Sequence, residues 1–280
     1  MKIINIKGET KEKIQTFEKE AEILSKFNCD NIVKYYDTFK DNNNIYILME
    51  FCKGETLKSF IDKYKDDIIL IKENIIIKII KQICIGLKEI HNKKIVHRDL
   101  KPENIFINDN MIIKIGDFGI SKQLDIYHTQ ITKNKEGSYD YIAPEIFYKG
   151  IYNEKSDIWS LGCIIYELCT LSFYNIDKTF NEIKKINSDI YNHKWQVLID
   201  SLLQPDYNKR FDINQVNQFL ENELKNIVNQ NIIIGEILIK NKDMGEDIQI
   251  INSFENVKRE YKWTDKDDDW KWENEKEIKE

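Results

Sequence analysis

Apolar positions give the chain its first outline. Residues 1–7 alternate weakly and predict a short strand that stops before Gly8. Over residues 11–27, Ile14, Phe17, Ala21 and Leu24 recur at three- and four-residue steps, which marks one face of a helix. Glu20 falls on that same face, three residues after Phe17 and four before Leu24. A carboxylate there calls for a cation partner, because an unpaired buried charge is costly. Glu12, Glu18 and Glu22 fall elsewhere and are expected in solvent. Residues 32–36 and 45–50 predict two strands joined by a polar loop. A long helix over 72–91 carries Ile76, Ile79, Ile80, Ile83, Leu87 and Ile90 at helical spacing, and Ile75, Ile77 and Ile85 widen the stripe. Residues 111–115 form an apolar strand running into Asp117-Phe118-Gly119. The stretch from 117 to 145 is polar with few apolar anchors. Residues 157–168 are apolar nearly all round, as a fully buried helix should be. Beyond Lys225, residues 232–239 and 248–251 look like strands, and then charges alternate with Trp263, Trp270 and Trp272.

A chain of 280 residues, 41% hydrophobic, can bury one large core or two modest ones. The net charge of -6 argues against a nucleic-acid surface. Cys29, Cys52, Cys84, Cys163 and Cys169 contain no Cys-x-x-Cys pair, and the four histidines are scattered. Zinc is not expected, and the thiols read as buried apolar residues of a reducing compartment. Residues 1–5 lack the apolar core of a signal peptide, and no apolar run reaches membrane-spanning length. The expectation is a soluble, cytoplasmic protein.

Chemistry concentrates in residues 96–106, Val-His-Arg-Asp-Leu-Lys-Pro-Glu-Asn-Ile-Phe. Asp99 can accept a hydroxyl proton, Lys101 can neutralise a transferred phosphate, and Asn104 can help hold a metal ion. Asp and Asn in loops commonly cap turns, but a capping habit does not explain the whole run. Asp117-Phe118-Gly119 alone is a weak signal. Eighteen residues after Asp99 and thirteen after Asn104, it is a strong one. These motifs resemble the catalytic loop and metal-binding turn of eukaryotic protein kinases. Residues 137–145, ending in Ala143-Pro144-Glu145, resemble the close of the activation segment. The stretches around 50–52 and 166–171 are similar to the NIMA-related kinases. A weaker similarity is to the stress kinases acting on translation initiation.

The resemblance implies an α+β, two-lobe fold over residues 1–226, with a truncated small lobe of about 1–50 and a large lobe of about 54–226. Residues 227–280 would be a strand-containing extension with an unknown partner. It implies that Asp99 and Lys101 are catalytic, and that Asn104 and Asp117 hold Mg2+ against ATP. Lys2 would grip the phosphates and pair with Glu20, while Met49, Glu50 and Cys52 form the hinge at the adenine. For those hinge side chains, a buried strand running into a turn is the competing reading. Thr56, beside Glu55, stands where many relatives place a ribose-contacting acid. Asp157 would tie down the catalytic-loop backbone, and Glu145 would pair with Arg210. Ser138 would bond Asp99 and Lys101. Thr129 or Thr132 could carry a phosphate sought by Arg98, with ordinary exposed threonines as the alternative. Tyrosine kinases of the family place Ala where Lys101 stands, so the implied acceptors are Ser and Thr of a protein substrate. No Gly-x-Gly-x-x-Gly occurs, and Lys2 would lie on an exposed sheet edge, which favours a chain lacking its first strands. The rival reading is a catalytically weak or inactive binding module that keeps the kinase fold. A small-molecule kinase is a third.

Overall fold

The computed structural model describes residues 1–118, 122–123, 139–174, 185–188 and 190–222. The chain divides into two compact units, Met1–Leu224 and Lys225–Glu280, and all of those residues belong to the first. The expected tail strands and tryptophans, and Gly119, Thr129, Thr132, Gly137 and Ser138, lie outside the described residues.

The first layer is a small antiparallel sheet of β1 (Lys2–Asn5), β2 (Tyr35–Lys40) and β3 (Asn44–Met49), in the order β1-β3-β2. Lys2 lies opposite Ile47 and Ile4 opposite Ile45, so the period of two puts Lys2 and Ile4 on the face that buries both isoleucines. Helix α1 (Lys11–Ser25) packs on β2 and β3 with Glu20, Ala21, Ile23 and Leu24 buried. Its start is fixed by Thr10, whose hydroxyl accepts from the Lys13 N–H at 3.3 Å.

A second sheet, β4-β6-β7, joins Gly54–Thr56 to Ile105–Asn108 and Ile113–Ile115. The two strands β5 (Ile95–Val96) and β8 (Lys122–Gln123) pair with each other. Around them stand α2 (Leu57–Asp66), α3 (Glu73–Asn92), α4 (Pro144–Lys149), α5 (Glu154–Thr170), α6 (Lys194–Leu202) and α7 (Ile213–Asn222). Every residue of α5 from Ser156 onward is buried. This is an α+β fold with mainly helical structure after β4.

Two expected boundaries move. The strand expected at 32–36 starts instead at Tyr35. Ile32 forms a parallel bridge to Ile115, Val33 N–H donates to Ile115 O at 2.9 Å, and Ile115 N–H donates to Asn31 O at 2.9 Å. The backbone of 31–33 is thus spent tying the two sheets together. The strand expected at 111–115 shortens to β7, because Met111 turns back on Asn108 with φ of 56°.

Candidate active site

The site starts from a buried carboxylate. Asp157, in the first turn of α5, is 1% exposed. Its Oδ2 accepts from the His97 N–H and from His91 Nε2, both at 2.9 Å, and its Oδ1 accepts from the Arg98 N–H at 3.0 Å. Burial alone would raise this carboxyl, but His91 and the His97 backbone outweigh it and hold it below the usual range. Arg98 adopts φ of 72°, a region bulky residues avoid, and the two backbone bonds to Asp157 hold it there.

The next residues are thereby aimed. Lys101 Nζ lies 3.0 Å from Asp99 Oδ2. Asn104 is buried, and its Nδ2 donates to Asp99 O at 2.8 Å and to Asp99 Oδ2 at 2.9 Å. Both amide hydrogens are used on Asp99, so the amide oxygen is the atom left to meet a cation. His97 carries its proton on Nε2: Nδ1 accepts from the Asp99 N–H at 3.4 Å, and Nε2 donates to Gly116 O at 3.1 Å. Gly116 N–H also donates to Asn104 O at 2.9 Å. A side chain at Gly116 would collide with the Phe106 ring, 2.7 Å from where Cβ would lie. The turn bearing Asp117 is therefore tied to the catalytic loop through both the N–H and the C=O of Gly116.

Asp117 follows with φ of 56° and half its side chain in solvent. Lys2 Nζ lies 3.1 Å from Asp117 Oδ1 and 2.6 Å from Glu20 Oε1. Burial works against the Lys2 ammonium, but Glu20 and Asp117 outweigh it and raise its pKa. Glu20, 3% exposed, has in Lys2 the cation that its place on the apolar face demanded. The sequence-expected residues Lys2, Glu20, Asp99, Lys101, Asn104 and Asp117 thus form one connected network. Across it the structure offers a general base, cations for phosphate, and carboxylate and amide oxygens of the kind magnesium takes.

The protein kinase domain family matches residues 1–220. The chain belongs to the protein kinase family. Among its curated relatives, mouse serine/threonine-protein kinase Nek1 is 32% identical over 250 residues, covering 86% of this chain and 20% of the relative. Human Nek5 is 34% identical over 247 residues, covering 84% and 34%. A probable serine/threonine-protein kinase nek2 of Dictyostelium discoideum is 43% identical over 161 residues, covering 55% and 37%. The chain spans roughly a fifth to two fifths of the length of these Nek relatives.

Two of the three residues expected at the hinge, Glu50 and Cys52, border a cleft of about 120 Å³, and Met49 is not among its lining residues. Phe106, Asn108, Ile112 and Lys114 line it with Glu50 and Cys52. The Glu50 carboxylate is already engaged by Lys114 Nζ at 3.0 Å and the Lys34 N–H at 3.2 Å. Its backbone N–H donates to Lys34 O at 2.8 Å. Burial pushes the Cys52 thiol up, and Glu50 pushes it further. Met49, half-buried, lies opposite Tyr35 at the end of β3. Thr56 is occupied with capping α2, its hydroxyl accepting from the Ser59 N–H at 3.1 Å, and Glu55 pairs with Lys63 at 2.8 Å. Arg210 is 1% exposed and meets Glu145 with two bonds, 2.7 Å and 3.0 Å.

Sequence reading has Phe118 packing inward but not its partners, and it passed over two further supports. Phe118 is fully buried, with its ring 5.2 Å from Phe27 and 4.9 Å from His97. Phe27 lies two residues past the end of α1, so its place was readable, but its partner was not. The Arg98 guanidinium stacks 4.6 Å from the centre of the Tyr152 ring. Glu167 accepts from the Tyr141 hydroxyl inside the core. An apolar-all-round pattern gives no sign that such a carboxylate is partnered.

Proposed function

We propose that this chain is a serine/threonine protein kinase that moves the γ-phosphate of ATP to a Ser or Thr hydroxyl of a protein. The supporting observation is the Asp99-Lys101-Asn104 loop, wired through Gly116 to Asp117 and from there to Lys2. Asp99 orients the acceptor hydroxyl and takes its proton as the new O–P bond forms and the bond to the ADP oxygen breaks. Lys101, 3.0 Å from Asp99, offsets charge on the moving phosphoryl group. Lys2 meets the upstream phosphates, and Glu20 keeps that ammonium charged and aimed. Asn104 and Asp117 supply hard oxygens suited to Mg2+. Bound magnesium would neutralise phosphate charge at that point. Adenine would lie along the backbone of Met49, Glu50 and Cys52. Catalysis of this type is mostly positioning, and the shared hydrogen bonds supply it. Five free cysteines and the acidic net charge suit a cytoplasmic enzyme acting on protein rather than nucleic acid.

The test is transfer from labelled ATP with magnesium to a generic basic protein, beside Asp99→Asn and Asp117→Ala. Labelled Ser or Thr with the parent and none with either variant supports the assignment. A parent as silent as both variants would sink it and leave the binding-module reading.

A further inference from the structure

A second concentration of ionised groups lies beside the catalytic loop and centres on Lys58. This lysine stands in the first turn of α2, with 22% of its side chain exposed. Its Nζ is 2.8 Å from Asp62 Oδ1 and 3.3 Å from Glu167 Oε1, and it sits 4.7 Å over the Phe173 ring. Glu167 is 3% exposed at the side chain and also accepts from the Tyr141 hydroxyl. Tyr141 closes the 3₁₀ turn Tyr139–Tyr141, just before Ala143-Pro144-Glu145. Two further carboxylates act on the cluster. Lys58 pulls on Asp140, and Glu103 pushes against both Glu167 and Tyr141.

Position gives the cluster meaning. Glu103 follows Asp99 by four residues, which extended chain spans in at most ~14 Å. The helix α2 that carries Lys58 packs against the turn Pro102–Asn104 of the same loop, so the cluster borders the ground next to Asp99. A carboxylate as buried as Glu167 needs a cation beside it. Here the chain provides that cation itself, and the Phe173 face steadies it. A basic side chain of a substrate would meet the Lys58 ammonium where it needs a carboxylate.

We propose that Lys58 is a specificity-determining residue: its ammonium fills the Glu167 pocket beside the catalytic loop and excludes arginine or lysine of a protein substrate from it. The inference rests on the kinase reading above, and its action is repulsion as much as occupation.

Peptide binding tests it without requiring phosphate transfer. Fluorescent peptides carry Ala at the acceptor position, and arginine is walked through the flanking positions of an otherwise neutral sequence. With the parent, no arginine peptide should bind more than about twofold tighter than the all-neutral one. With Lys58→Met, which keeps the apolar stem, one arginine position should gain about tenfold. Lys58→Arg should behave as the parent. Should Lys58→Met fail to fold, Glu167→Gln in the parent carries the test: the occupied pocket predicts no change in arginine binding. The idea is overturned by a folded Lys58→Met protein with the parent's preferences. It is equally overturned by a parent that favours arginine tenfold and loses that favour in Glu167→Gln. Phosphate transfer to the same peptides with Ser restored separates the two claims. A shifted arginine preference with no transfer would sink the kinase assignment and leave the pocket assignment standing.

Discussion

Two halves of the site are held by different forces. The catalytic loop hangs from Asp157, a buried carboxylate whose bonds run largely to backbone N–H groups. Lys2, proposed to meet phosphate, hangs from side-chain ion pairs, with Lys2 about a third exposed and Asp117 about half exposed. Backbone bonds in the interior fix a geometry, because leaving such donors unmade is costly. Ion pairs at the rim are weaker, screened by salt, and free to exchange one partner for another. In the proposed reaction the Asp99 loop is therefore preset, while Lys2 would exchange Asp117 for phosphate oxygens without disturbing the core. The largest test of this contrast separates chemistry from scaffold. Asp99→Asn should lower kcat about a thousandfold with the melting temperature little changed, because the Asp99 carboxylate meets the side chains of Lys101 and Asn104, which an amide oxygen can still accept from.

Asp157→Asn should do the reverse at the other half. Losing the charge behind three hydrogen bonds should cost about 2–3 kcal/mol of stability, measured by denaturant unfolding at neutral pH. The same variant carries a pH signature. The Asp157 carboxyl is lowered in the folded state from its ordinary 3.8. It therefore contributes stability that is complete above 3.8 and is lost as pH falls through the lower folded value. Asp157→Asn should flatten that acid decline. A variant as acid-sensitive as the parent would mean that other groups set the limb.

Much of this contrast was legible in the chain. Glu20 announced its partner by standing on an apolar face, and Lys2 answers it at 2.6 Å. Asp99, Lys101 and Asn104 were legible because a short loop leaves them nowhere to separate. The carboxylates of α5 were not equal in this respect. Asp157 was marked by resemblance, whereas Glu167 read as one more residue on a buried helix. Residues 32–34 failed for a physical reason while Tyr35 and Tyr36 joined β2: the pattern is right for a strand, but the backbone bonds of 31–33 are taken by Ile115. Local pattern reports which side chains are buried and not which backbone they pair with. The Phe27–Phe118–His97 stack joins residues far apart in sequence and leaves no periodic trace.

Two smaller changes sharpen the comparison on the small sheet. Glu20→Gln keeps an oxygen for Lys2 and removes the charge. It should lower kcat/KM about thirtyfold, some 2 kcal/mol of lost transition-state stabilisation. Unfolding should move little, since Gln keeps a buried oxygen for Lys2 and an ion pair to a lysine about a third exposed contributes little to stability. A collapse of stability instead would mean that the Lys2 pair is scaffold after all.

The smallest expected effect asks whether α1 itself belongs to the fixed or the adjustable half. Thr10→Ala removes the hydroxyl that meets the Lys13 N–H and should cost about 1 kcal/mol. A helix that is part of the rigid scaffold would share that loss with the whole unit, and every protected amide would exchange faster together. A helix that opens by itself would lose protection only near its first turns. The second outcome fits the way Glu20 is mounted. Its carboxylate reaches Lys2 from a helix that meets β2 and β3 through one apolar stripe, with the rest of its surface in solvent. Activity should then fall only a few-fold in Thr10→Ala, and saturating ATP should restore most of it. Binding would re-form the same Lys2–Glu20 contact from a slightly less populated competent state. Faster exchange spreading into α5 would place α1 with the Asp157 half, and the division between preset loop and adjustable lysine would have to be redrawn.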